Sequence, residues 1–120
     1  MRARSRPITV DIVDETFIDV PPPVLSTLVA DARNQRQWWP HLQLSTARDR
    51  GVKGQKWDIA GEIVGTMEIW LEPFWEGVIV HHFVRGHVGA RGRRDVATRH
   101  TLRWKRSVTG LKDLLEGRAL

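Results

Sequence analysis

DVATRHTLRWKRSVTGLKDLLEG, residues 95–117, is the stretch on which the fold turns. Ala97, Thr101, Trp104, Val108, Leu111 and Leu115 recur at alternating steps of four and three, which marks one face of an amphipathic helix. Asp95 is placed to cap its start and Gly117 to end it. About 22 residues at ~1.5 Å each make a rod of roughly 33 Å, long enough to run along the whole hollow of a bent sheet. Upstream, the period changes from helical to two. Val78–Arg85 reads as a strand with Val78, Val80, His82 and Val84 on one face. Ile63–Glu72 is the clearest strand: Ile63, Gly65, Met67, Ile69 and Leu71 face one way, and Thr66, Glu68, Trp70 and Glu72 the other. Gln55–Ala60 precedes it, with Trp57 and Ile59 on one face. Gly61 and the Pro73–Gly77 turn separate the three, so they pair as an antiparallel meander.

The first half supplies the remaining elements. Ile8–Asp19 reads as a strand with Ile8, Val10 and Ile12 on one face, and a slip of the pattern near Val13 predicts a bulge. Pro21-Pro22-Pro23 opens a helix carrying Val24, Leu25, Leu28 and Val29. Asn34–Trp39 is a second short helix stopped by Pro40, and Leu42–Arg48 is a further strand. The order predicts an α+β fold: a curved antiparallel sheet of about five strands wrapped on a long C-terminal helix, with two short helices after the first strand. Residues 1–7 are expected to be a basic, loosely held arm, and residues 8–120 one domain.

Composition narrows the function classes. The chain has 120 residues, no Cys, six Trp and a formal net charge of +5. Disulfide frameworks and thiolate metal sites are excluded, and a reducing, cytoplasmic setting is expected. The longest apolar runs are a few residues, against the ~20 a membrane span needs. Of the 19 basic residues 15 are Arg, which reads first as a solvated basic surface.

The pieces IDVPPPVLSTLVADARNQRQWWP (18–40), GVKGQKWDIAG (51–61), GTMEIWLEP (65–73), GVIVHHFV (77–84) and RWKRSVTGLKDLLEGR (103–118) resemble, in this order, the START-like (SRPBCC, helix-grip) superfamily in its bacterial polyketide cyclase/dehydrase and lipid-transport branch. The resemblance covers nearly all of residues 8–118. It implies a cavity between sheet and helix that takes an apolar small molecule. Four strands follow the short helices here where the family usually has six, so the chain resembles a form shortened by about one hairpin, with a smaller or more open cavity.

The residues that would line that cavity are Trp57, Ile59, Met67, Ile69, Leu71, Val80, His82, Val84, Trp104, Val108 and Leu111, with Trp38 and Trp39 at its mouth. Nearly all are apolar, as small-molecule sites are. His82 is the one ionisable side chain among them. It is read first as a buried, hydrogen-bonded histidine and second as a weak catalytic candidate that could shuttle a proton. His81 points to the opposite face, so the two cannot share a metal. Glu68 and Glu72 lie ~13 Å apart on one strand face, too far for a glycosidase-like pair. No metal-ligand spacing, nucleophile elbow or phosphate loop is present, so no cofactor and no metal are expected. Arg99, Arg103 and Arg106 form a basic strip on the helix.

Three functions remain open. The first is binding or carriage of an apolar lipid- or polyketide-like molecule, and the absence of a paired acid–base set favours it over the second, a cyclase or aromatase. The third is a toxin-like protein that associates with ribosome or RNA, for which the basic strip would meet nucleic acid or an anionic membrane surface. An outward Trp70 would suit a homodimer contact.

Overall fold

The computed structural model describes residues 6–117; the basic arm expected over residues 1–7 therefore falls, for residues 1–5, outside the described residues. The order is β1 (Thr9–Ile18), α1 (Pro22–Ala30), α2 (Ala32–Trp38), β2 (Leu42–Asp49), a 3-10 turn (Gly51–Lys53), β3 (Gly54–Gly61), β4 (Ile63–Phe74), β5 (Gly77–Val88) and α3 (Val96–Leu115). The five strands form one antiparallel sheet in the order β1-β5-β4-β3-β2. Helix α3 lies across the inner face and packs most closely on β1.

Alternation decides which side chains meet the helix. Ile63, Met67, Ile69 and Leu71 of β4 are buried, as are Val78, Val80, His82 and Val84 of β5 and Trp57 and Ile59 of β3. The sheet must coil to keep all of them against one rod. Gly65 and Gly86 face each other across β4 and β5. Gly65 has φ 155°, and a Cβ there would meet the Arg85 carbonyl oxygen and the Gly86 Cα at 2.7 Å. Side chains at this pair would force β4 and β5 apart.

Several details differ from the sequence reading. The bulge expected near Val13 is absent. β1 pairs with β5 in unbroken register from Thr9 to Ile18, and the inward side continues as Asp14 and Thr16. These polar residues are tolerated because Lys105 Nζ of α3 donates to Asp14 Oδ1 at 2.9 Å and Thr16 Oγ1 at 3.0 Å. The irregularity lies instead in β2, between Thr46 and Arg48. The turn expected over Pro73–Gly77 is shorter: Pro73 and Phe74 pair within the hairpin, leaving Trp75, in the left-handed region at φ 54°, and Glu76 at the tip.

The helix face is rotated from the expected one. Val96, His100, Trp104 and Val108 are buried at a steady spacing of four, while Ala97, Thr101, Leu111 and Leu115 are only half-buried. Leu111→Ala should accordingly cost about 1–2 kcal/mol, below the range for a fully buried leucine; a urea denaturation midpoint shift worth more than about 3 kcal/mol would return Leu111 to the core. Asp95 precedes the helix without a side-chain capping bond, its carboxylate lying 3.5 Å from Arg93 Nε. Gly117 ends it in the left-handed region at φ 74°, its N–H donating to the Leu114 carbonyl. No helix among the described residues is long and apolar enough to cross a membrane.

Candidate functional site: a tryptophan–histidine cluster inside the grip

The short helices deliver two tryptophans to the interior. Asp31 caps α2 by accepting from the Arg33 N–H at 2.8 Å. Asn34 Nδ2 and Gln35 Nε2 donate to the Leu28 and Val29 carbonyls, at 3.0 and 2.8 Å, and lock α2 onto the end of α1. Pro40 then forbids another turn, so Trp38 and Trp39 emerge where β2 begins. Trp39, expected at a cavity mouth, is 2% exposed and stands at the centre. Its ring centroid lies 5.6 Å from Trp38, 5.3 Å from Trp57, 5.6 Å from Trp104 and 5.6 Å from His82. Trp38 packs edge-on against Trp104 at 5.9 Å and is the most accessible of the four indoles. These four rings stand between the sheet and α3.

His82 is fully buried and its partner is His100, which the apolar pattern passed over. His82 Nδ1 lies 3.2 Å from the Glu68 carbonyl oxygen and its Nε2 lies 2.9 Å from His100 Nε2. A carbonyl only accepts, so His82 carries its proton on Nδ1 and its Nε2 accepts the His100 Nε2–H. The rings stack at 5.2 Å, and Trp104 lies 4.6 Å from His82. Burial, reinforced by the neighbouring His100, drives the His82 pKa well below the ordinary imidazole value against a smaller opposing effect of the Glu68 carbonyl. Burial and then the Arg103 guanidinium lower that of His100 to about 4. Near neutral pH both are neutral, with both ring nitrogens of His82 engaged, one by the Glu68 carbonyl and one by His100. His100 was legible in one respect: it lies four residues before Trp104, on the same stripe.

The other expected lining residues, Trp57, Ile59, Met67, Ile69, Leu71, Val80, Val84, Trp104 and Val108, are all buried in this core, whereas Leu111 flanks it. Three polar atoms in the cluster have no hydrogen-bond partner: the indole N–H groups of Trp39, Trp57 and Trp104.

Outside the grip, His81 accompanies Trp70 on the outer face. Their rings stack at 4.3 Å, and His81 Nε2 lies 2.9 Å from Glu72 Oε1. Trp70, half-buried, is thus covered within its own chain. Of the basic strip, Arg99 and Arg106 are exposed, but Arg103 is half-buried with its guanidinium 3.5 Å from the Glu62 carboxylate. Burying the Trp104 face draws Arg103 down to the sheet edge, so the strip is not three free charges. No group of three potential metal ligands occurs among the described residues.

No protein-family model matches the sequence, and no curated protein matches it. Solved structures do. The Aha1 dimer from Colwellia psychrerythraea aligns at TM-score 0.68 and 17% identity over 89% of this chain and 96% of that one. The Mll3558 protein from Rhizobium loti aligns at TM-score 0.68 and 10% identity over 88% and 99%. The di-domain ARO/CYC StfQ of the steffimycin biosynthetic pathway aligns at TM-score 0.51 and 15% identity over 92% of this chain and 52% of its own. With five antiparallel strands, two short helices after the first and a long closing helix, the chain shares the helix-grip fold of these structures.

Proposed function

We propose that this protein binds a largely apolar small molecule, lipid- or polyketide-like, between the sheet and α3, without covalent chemistry. The observation that carries the reading is the set of buried indole N–H groups on Trp39, Trp57 and Trp104 that have no acceptor. A buried donor left unpaired costs about 1–3 kcal/mol, and an acceptor oxygen on a bound molecule would relieve that cost at these indoles. The surrounding walls are apolar, so the ligand is apolar with one or more acceptor oxygens aimed at the indoles. His82 is not their target, since both of its nitrogens are already engaged. Trp38, at the accessible edge of the cluster, is the ring that gives way on entry. StfQ, which shares the fold, comes from the steffimycin biosynthetic pathway.

A neutral apolar dye such as 1-aminoanthracene should bind and quench tryptophan emission. Met67, paired with Trp57 across β3 and β4 and buried, offers a two-way test. Met67→Ala should tighten dye binding by opening space, and Met67→Trp should weaken it severalfold. Equal affinity in all three proteins would place the dye elsewhere and sink the reading.

A further inference from the structure

At the end of the grip where α3 begins, four segments line an open surface cleft of about 380 Å³. Arg91 and Arg93 enter it from the β5–α3 loop, Arg99 from the first turn of α3, His41 from the turn after Trp39, and Glu62 from the β3–β4 turn. Backbone bonds fix its walls: the Glu62 N–H donates to the His41 carbonyl at 3.3 Å and the Gly89 N–H to the Glu62 carbonyl at 2.9 Å. Its charges do not balance. Glu62 is already held by Arg103, and Arg93 lies beside Asp95. Arg91 and Arg99 have no carboxylate partner among the described residues. The first turn of α3 holds no acidic residue, and Asp95 at its N-cap makes no side-chain capping bond. The cleft also adjoins the aromatic cluster in sequence on two sides, since His41 follows Trp39-Pro40 and Arg99 precedes His100.

We propose that this cleft binds an oxyanion head group, carboxylate or phosphate, of an amphipathic molecule whose apolar part occupies the grip. This deepens the apolar-ligand reading and rests on it. Two guanidiniums without carboxylate partners, one on the β5–α3 loop and one on α3, can each give a charge-assisted, bidentate pair of hydrogen bonds to such a group. A neutral head forfeits most of that gain.

The test compares dodecanoate with dodecanol at pH 8 and low salt, each displacing bound 1-aminoanthracene. Dodecanoate should bind about tenfold or more tightly than the alcohol, a difference of about 1.4 kcal/mol or more. Arg91→Gln/Arg99→Gln, at two exposed positions without partners, should abolish that preference and leave dodecanol binding unchanged. Millimolar inorganic phosphate should not displace dodecanoate. Equal affinity of acid and alcohol in the unaltered protein, or a preference that survives the double substitution, overturns the head-group assignment while the grip reading stands. Displacement by phosphate alone would make this a site for free anions, and a short RNA that competes through the same arginines would make it a nucleic-acid contact; either overturns the proposal. Failure of both dodecanoate and dodecanol to bind overturns the grip reading together with it.

Discussion

Trp39→Ala should lower the unfolding free energy by about 3–5 kcal/mol, the range for deleting a fully buried tryptophan. Its indole touches Trp38, Trp57, Trp104 and His82 at ring separations of 5.3–5.6 Å, so the void opens at the point where α2, β3, β5 and α3 converge. Those neighbours are held by one another and cannot collapse to fill it, which places the cost in the upper part of the range. Trp75→Ala is the matched control. That side chain is 90% exposed at the β4–β5 tip, and its removal should change stability by less than about 0.5 kcal/mol. Urea titrations followed by far-ultraviolet circular dichroism measure both. A loss under about 1 kcal/mol for Trp39→Ala would mean that the interior is not organised around this ring.

Acid should destabilise the fold well above the pH at which carboxylates titrate. In the unfolded chain His82 and His100 take up protons near the ordinary pKa of 6.5; in the folded protein His100 does so only at about 4, and His82 is also lowered well below its ordinary value. Between those values the unfolded state binds more protons, so protonation pulls the equilibrium toward it. The stability is therefore fully present above pH 6.5 and is lost as the pH falls toward 4. His100 accounts for a loss on the order of 3 kcal/mol across that window. With both histidines acting, the slope approaches about 3 kcal/mol per pH unit. The charged groups packed around α3 near this pair are Lys105 with Asp14 and Arg103 with Glu62. Urea midpoints at pH 7.5, 6 and 5 should fall in that order. In His100→Gln, whose amide can still donate to His82, the slope over the same interval should drop by about half. An unchanged slope in that variant would assign the acid loss to other groups.

The fold was legible because it rests on local periodicity. The strict alternation of Ile63–Leu71 and of Val78–Val84 can be satisfied only by strands with one buried face, and a 20-residue amphipathic helix after them has only that face to cover. The three prolines and Pro40 punctuate the short helices through φ alone. Where the reading slipped, a distant partner had changed the value of a residue. Asp14 and Thr16 looked like a break in β1 because nothing nearby in the chain announces Lys105, 91 residues from Asp14. His100 falls outside the apolar pattern of α3 because its burial depends on His82, 18 residues away on another element.

The sequence by itself thus determined the elements, their order, the inward faces of β3, β4 and β5, and the apolar character of the interior, since each follows from side-chain spacing along a single segment. Only the tertiary structure decided the rotation of α3 that buries Val96, His100, Trp104 and Val108, the central place of Trp39, the neutral histidine pair and the meeting of four segments beside Arg91 and Arg99. These depend on which side chains meet across the sheet and helix, and a buried polar atom is settled by the partner that fold brings to it, not by its neighbours in the chain.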